Sequence, residues 1–461
     1  MSALWSELDL APLKKYDRPG PRYTSYPTAP QFKAPFGGDD LEALIAAGQA
    51  EAPLPGLSLY VHVPFCKSQC LYCGCNSVPC SDAAVIGGYV DALLTEMARV
   101  LAPVDGRRGV AQLHFGGGTP GLLSEAQVDA IVAAVTQKVA FAPRAEVSIE
   151  LDPRSTRPGF LAFLAERGFN RVSFGVQDLD AEVQRVIGRV QPFETTRRVV
   201  DEARAAGFRS VNIDLIYGLP LQTRERFART VEGVLGLAPD RVALFNFAYV
   251  PHLKPFQSQM PVDRIPPVDE KVRLFLETVD RFEQGGYRFL GLDHFAKPAD
   301  ELAQAFDQQR LHRNFQGYTV LDGLEVLAFG ASAISQLRHG FAQNVRDHAD
   351  YRAAVEAGRS PLERGLVLSP DDRLRQAVIE EIMCNLRLSP GAIGARFGVD
   401  FDAYFPGWRD DLATLAADGC LAWTPGGFEV TRAGRLVLRN IAMVFDAYLP
   451  KEGTAGYSRT L

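Results

Sequence analysis

Nowhere do apolar residues run on for the ~18 positions that a membrane-crossing helix needs. No span is therefore expected. Positive charge is short as well: 49 Lys and Arg stand against 55 Asp and Glu, a net charge of −6. That excludes bulk electrostatic binding to nucleic acid or an anionic membrane, though not a local basic pocket. Cysteine is scarce outside one place. Of seven in 461 residues, four fall within ten positions, at Cys66, Cys70, Cys73 and Cys75. A secreted disulfide framework does not look like this, and a reducing compartment suits it. The second, separated C-x2-C pair that structural zinc usually takes is missing. So are internal repeats and low-complexity tracts. Met1 to Leu10 carries Glu7 and Asp9 and no apolar signal core, so a cytoplasmic location is expected. Hydrophobic content of 47% and charged content of 23% are those of an ordinary globular protein with room for two or three domains.

What is present centres on Tyr60 to Cys75, Y-V-H-V-P-F-C-K-S-Q-C-L-Y-C-G-C. Leu57 to Val63 reads as a strand, and Pro64 ends it. The cysteines then stand in one short loop at a strand end, where α/β sheets and barrels keep their chemistry. Three close thiolates suit a cubane cluster with one iron left without a protein ligand. Structural zinc, disulfides or core thiols are the plain alternatives. C-x3-C-x2-C after a strand resembles the signature of the radical SAM superfamily. The resemblance implies a [4Fe–4S] cluster on Cys66, Cys70 and Cys73, whose free iron takes the amino and carboxylate groups of S-adenosylmethionine. One electron then cleaves that cofactor to a 5′-deoxyadenosyl radical.

Along the chain, Lys15 to Phe32 holds too many prolines for a helix or a central strand and reads as an extended arm. Leu41 to Glu51 reads as a short helix. From residue 57 to about 250, candidate strands at 57–63, 110–115, 146–151, 171–176, 210–216 and 241–247 alternate with helical patterns. Among the latter are Ala83 to Leu101, Ser124 to Val139 and Pro192 to Ala206. Such alternation predicts βαβ units on a parallel sheet. Six units are too few for a closed eight-stranded barrel, and the resemblance implies an incomplete (β/α)6 barrel. Residues 251–345, with a helix at Glu270 to Gln284, are expected to complete the sheet or wall the cavity. After about residue 365 the pattern predicts helices at Arg373 to Leu386, Ser389 to Phe397 and Phe401 to Ala417. Two short strands follow around Pro425-Gly426-Gly427, then a last helix at Thr431 to Tyr448, a winged-helix-like module without a basic footprint. The expected division is an arm over 1–55, a barrel domain over 56–345 and a helical C-terminal domain over 346–461.

Further motifs sit at successive strand ends. Three glycines, Gly116 to Gly118, follow the second strand and let backbone approach a ligand. Glu150 ends the third, where an acid can accept from a ribose diol. Gln177 and Asp214 end the fourth and fifth, polar groups on strands that are normally apolar when buried. With Arg189 they form a second candidate polar set.

Together with P-R-Y-T-S-Y-P-T, D-H-F-A at Asp293 to Ala296 and H-R-N-F-Q-G-Y-T at His312 to Thr319, these motifs are similar to those of the oxygen-independent coproporphyrinogen III oxidase family. The resemblance covers nearly the whole chain. It implies two molecules of S-adenosylmethionine. Tyr60, Gly117, Glu150 and Ile334 would contact the one on the cluster. Tyr72, Gly118, Thr119, Gln177, Arg189, Asp214 and Ala248 would contact the second. Cys75 is expected not to be a ligand yet to matter for activity, as are His62, Gln316 and Tyr60. Tyr72 stands where some members have Phe. The implied reaction converts two propionates of coproporphyrinogen III to vinyl groups. A one-electron donor such as flavodoxin or ferredoxin and a monomeric state are also expected. Arginine suits carboxylates by bidentate hydrogen bonding, which makes Arg22 and Arg313 the substrate candidates. The rival within the superfamily is a haem chaperone. It lacks the fourth cysteine and the Tyr-Pro-rich arm that this chain has. A haem-degrading radical methyltransferase is disfavoured by the same arm. A haem- or zinc-binding regulator would leave the strand-end motifs idle.

Overall fold

The computed structural model describes residues 4–449 and 457–460. Compactness divides the chain into two units, each discontinuous in sequence. The larger takes residues 32–266 and 323–367, and the smaller takes the residues up to 31, 267–322 and 368 onward.

The larger unit is built on ten strands. β1 (Leu57–Val63), β2 (Val110–Gly117), β3 (Phe141–Leu151), β4 (Arg171–Gln177), β5 (Ser210–Tyr217) and β6 (Arg241–Asn246) are the six expected from the sequence. β7 (Glu325–Phe329), β8 (Ile334–Leu337), β9 (Gly340–Asn344) and β10 (Leu362–Val367) come from the stretch expected to complete the sheet and from just beyond it. Their order is β10-β9-β8-β7-β1-β2-β3-β4-β5-β6. β1 to β6 pair parallel in sequence order, as βαβ units require. β7 adds a seventh parallel strand on the far side of β1. β8, β9 and β10 then follow antiparallel.

Helices start promptly after the strand ends because side chains cap them. α1 (Gly38–Gln49) precedes the sheet, and Asp82 caps α2 (Ala83–Leu101) by accepting from Ala84 and Val85 N–H. Ser124 and Gln127 form a reciprocal capping box on α3 (Glu125–Thr136). Thr223 caps the helix Arg224–Leu237. Each such cap is worth about 1 kcal/mol.

Burial along the strands shows which face does what. On β4, Val172, Phe174 and Val176 are buried, and Arg171, Ser173, Gly175 and Gln177 alternate with them on the other face. That second face carries a polar row from β1 to β4. Ser58 donates to Gln112 at 2.8 Å, and Gln112 to Glu146 at 3.0 Å. Glu146 pairs with Arg171 at 3.1 Å. A core strand face would be apolar; this one is a lining.

The smaller unit gathers the N-terminal arm, Val268–Gln284, a hairpin of Arg288–Gly291 with His294–Ala296, and the C-terminal helices. The arm is not an added surface strap: Trp5, Leu13, Tyr23 and Tyr26 are each under 5% exposed. Pro370–Asn385 and Pro390–Phe397 are the first expected helices, and Leu421–Thr424 pairs with Gly427–Val430 as the wing. Two expectations need correction. Phe401 to Ala417 is three short helices, not one, because Pro406-Gly407 breaks it and Gly407 takes φ +80°. Thr431 to Tyr448 shrinks to a 3-10 turn, Gly434–Val437, and Leu438–Met443. There Gly434 lies so close to the Cys420 carbonyl that a Cβ would collide with it.

Candidate active site

Cys66, Cys70 and Cys73 leave the end of β1 in one loop, and all seven cysteines of the chain are free. The loop is held by backbone. Thr119 N–H donates to the Phe65 carbonyl at 2.8 Å, and Leu71 N–H donates to the Ile187 carbonyl at 2.9 Å. The Thr119 hydroxyl lies 3.5 Å from the Cys66 sulfur. Two guanidinium groups, of Arg154 and Arg189, each stand 3.5 Å from the Cys70 sulfur. Burial pushes the Cys66 thiol up. Cys73 falls to about 6, first because the Cys75 thiol hydrogen-bonds to it and next because the Cys75 N–H does, at 3.4 Å. The same contact raises Cys75, which is exposed.

The glycine turn after β2 leaves no room for side chains. A Cβ on Gly117, whose φ is +111°, would lie 2.6 Å from the His62 ring. One on Gly118 would lie 2.6 Å from the Phe65 carbonyl oxygen. Both glycines are needed to bring this turn against the strand and loop that carry the cysteines.

Tyr60 and His62 share a face of β1. The Tyr60 hydroxyl and His62 Nδ1 are 3.0 Å apart, and His62 Nε2 is 3.0 Å from the Asn76 carbonyl. Burial lowers the His62 ring and raises Tyr60 well above its ordinary value. The neutral ring therefore donates from Nε2 to the carbonyl and accepts from Tyr60 at Nδ1. Beside them His114 stacks on Tyr60, its Nδ1 2.7 Å from Ser148 and its Nε2 3.3 Å from Glu150. Gly117 N–H donates to the other Glu150 oxygen at 3.2 Å. Burial works to raise Glu150, but His114, the Gly117 N–H and His62 outweigh it and hold the carboxylate low. Its side chain is still 44% open to solvent.

Ile334 begins β8 after a turn fixed from α2. Gly330 N–H donates to buried Glu96 at 2.8 Å, and Ala331 N–H to the Tyr89 hydroxyl at 2.9 Å. That hydroxyl donates in turn to the His62 carbonyl at 2.8 Å, so one tyrosine ties the Ile334 turn to the His62 strand.

A second polar set lies at the ends of β4 and β5. Gln177 takes φ +71° after a bulge in the β4–β5 pairing. A non-glycine residue held there is strained by about 1–3 kcal/mol, which marks a position set by its surroundings. A Cβ on Gly175 would meet the Gln177 amide at 2.9 Å and Arg189 at 3.3 Å. Arg189 donates to the Gly175 carbonyl at 2.5 Å and to Asp152 at 3.2 Å. Burial would raise Asp152, but Arg189 and Arg154 hold it low. Asp214 accepts from Ser173 at 3.0 Å and from Asn212 at 2.7 Å.

The chain matches the Radical SAM superfamily over residues 60–233 and the HemN C-terminal domain over residues 368–437. It is 42% identical to the oxygen-independent coproporphyrinogen III oxidase of Pseudomonas aeruginosa, covering 97% of this chain and 98% of that one. It is 42% identical to that of Synechocystis, covering 95% and 94%. Its structure is similar to that of coproporphyrinogen III oxidase (HemN) from Escherichia coli, a radical SAM enzyme. The TM-score is 0.89 and the identity 41%, with 96% of this chain and 99% of that one covered.

The chain belongs to the oxygen-independent coproporphyrinogen III oxidase family.

The residues present fit the cluster and cofactor that the radical SAM family implies. Three unpaired thiols share one loop, and two guanidinium groups at the Cys70 sulfur offset the charge that three thiolates would gather. Among the described residues no three His, Cys, Asp or Glu side chains are gathered for a metal ion. The Gly117 cradle and the half-open Glu150 beside the loop fit S-adenosylmethionine.

The structure thus brings Tyr60, His62, Gly117, Glu150 and the cysteines together, and groups Gln177 with Arg189. Arg22, Arg313 and Gln316 lie in the smaller unit. There Arg22 pairs with buried Asp293 at 2.5 Å, and Asp293 also meets His294 at 2.6 Å. Arg313 Nε and Nη1, and both polar atoms of the Gln316 amide, are buried with no hydrogen-bond partner. Sequence reasoning missed Arg154 beside Cys70 with Asp152 as its ion-pair partner, and Tyr89 with Glu96 behind His62. The D-P-R at the end of β3 was a signal for the first pair. A glutamate among the apolar positions of α2 was one for the second.

Proposed function

We propose that this family member converts two propionate side chains of coproporphyrinogen III to vinyl groups, giving protoporphyrinogen IX for haem synthesis. The observation that carries this is near-full-length similarity to enzymes of that name, joined to free thiols beside a glycine cradle at the sheet end. Cys66, Cys70 and Cys73 would hold the cluster, which with S-adenosylmethionine would supply a radical able to take a hydrogen atom from the propionate β-carbon. The substrate would then lose CO2 and pass one electron to a one-electron acceptor, and the carbon–carbon double bond would form. Each vinyl group thus costs the side chain one hydrogen atom, one electron and CO2.

The chain's own residues aim this chemistry. Tyr60, Gly117, Glu150 and Ile334 hold the cofactor on the cluster. Tyr72, Gly118, Thr119, Gln177, Arg189, Asp214 and Ala248 hold a second molecule. The strained Gln177 and the Arg189–Asp152 pair support that reading. His62, Cys75 and Gln316 serve the reaction, His62 as a neutral ring locked by Tyr60. Arg22 and Arg313 take propionate carboxylates; the unpartnered nitrogens of Arg313 are donors waiting for such acceptors. The enzyme works as a cytoplasmic monomer with a flavodoxin or ferredoxin as electron donor. Functionally its segments remain arm 1–55, barrel 56–345 and helical end 346–461.

The test is anaerobic incubation of cluster-reconstituted protein with S-adenosylmethionine, reductant and coproporphyrinogen III. Divinyl product is expected. Haem capture without cofactor turnover would put a chaperone in its place.

A further inference from the structure

We infer that Gln257 is a positioning residue that fixes the second S-adenosylmethionine site to the cluster loop. The inference rests on the two-cofactor reading above. Gln257 is 0% exposed and stands in a 3-10 turn, Pro255–Gln259, just past β6. Its amide nitrogen donates to the carbonyl of Tyr72 at 3.0 Å and to that of Ala248 at 3.2 Å. Its amide oxygen accepts from Val250 N–H at 2.7 Å. A carboxamide has two N–H groups and one carbonyl, so these three bonds engage both donors and the carbonyl oxygen.

The partners make the case. Tyr72 sits between the cluster ligands Cys70 and Cys73. Ala248 lies just beyond the end of β6. Both belong to the set assigned to the second cofactor, and they are far apart in sequence. A glutamine that merely closed its own turn would bond locally; this one reaches 185 residues back. The turn is anchored beside the loop in two further ways. Met260 is buried in a small apolar cluster that also holds Leu71, Tyr72 and Tyr249. Lys254 Nζ donates to the Cys75 carbonyl at 2.5 Å. Residues 250–260 therefore clip the cluster loop to the end of β6, and Gln257 sets the separation of Tyr72 from Ala248.

Gln257→Glu keeps the size and the acceptor for Val250 but turns a carboxylate oxygen towards two carbonyls. The experiment is equilibrium dialysis of cluster-reconstituted enzyme with labelled S-adenosylmethionine, alongside iron and sulfide content and thermal midpoint. Wild type is expected to bind two equivalents. The variant should keep its iron, sulfide and first equivalent and bind the second at least tenfold more weakly. Where Gln257→Glu does not fold with a full cluster, Gln257→Met, which fills the same space, is read in the same way. Two equivalents bound with wild-type affinities overturn the proposal. So does loss of the cluster in both variants, since Gln257 would then hold the loop as a whole. A wild-type enzyme that takes only one equivalent overturns the two-cofactor reading, and this inference with it.

Discussion

Two cysteines two places apart divide the work at the loop. Cys73 accepts from the Cys75 thiol and N–H, which hold it below the ordinary thiol value. Cys75 is the donor and stays protonated. Cys75→Ser should therefore keep the cluster's absorption and its iron and sulfide content while product falls below detection. Disappearance of that absorption would refute the assignment. Gly117→Ala forces a Cβ into the His62 ring at a φ that L-residues avoid. We expect a loss of about 1–3 kcal/mol of stability and at least tenfold weaker cofactor binding, read by thermal melting and dialysis. In the smaller unit, burial opposes charge on His312, but Glu380 at 3.0 Å and Asp322 at 3.7 Å raise its pKa above the ordinary value. A group raised on folding stabilises below its unfolded pKa of about 6.5, and the contribution fades as pH climbs through the folded value. The thermal midpoint of His312→Gln should accordingly lag wild type most near pH 6 and least near pH 9. Cysteines, glycines and strand-end acids were legible in sequence because each answers to a local rule of spacing or backbone. Gln257 was not: in Pro255-Phe256-Gln257-Ser258-Gln259 two glutamines look alike, and only the tertiary path to Tyr72 separates them.

At the scale of elements, the parallel strands were readable because alternation and caps agree. The seventh, β7, was harder to see: Glu325 opens an otherwise apolar run, so the stretch does not announce a buried strand. That glutamate is 1% exposed and pairs with fully buried Arg108 at 2.6 Å, and Arg108 also donates to the Pro55 carbonyl. Removing one partner strands the other charge. Glu325→Gln should cost about 3–5 kcal/mol in denaturant unfolding, and the double change Arg108→Met with Glu325→Leu clearly less. Phe401 to Ala417 misled in the opposite direction. Its apolar positions keep helical spacing through Pro406-Gly407, but the backbone cannot follow.

For the whole molecule, composition conveyed size and class but not how the chain returns on itself. The arm looked peripheral because prolines exclude regular structure. It is core instead: Trp5 donates to Asp280 and Glu283 and packs edge-on against Phe289. Deleting residues 1–31 should unfold the smaller unit selectively. Limited proteolysis is expected to cut within 267–322 and beyond 368 while a fragment spanning 32–266 persists; even digestion of both would count against this. Among the described residues no helix is long and apolar enough to cross a membrane.

β1 carries the cysteine loop, yet its neighbour β7 is encoded more than half the chain later. During translation the thiols therefore emerge on a rim that lacks one side, and long-range parallel pairing of this kind is slow. Iron delivered to a nascent chain would meet ligands without a frame. Cluster insertion belongs after β7 has been made, and a polypeptide stopped short of residue 325 should emerge with all of its loop cysteines present and still fail to take up iron.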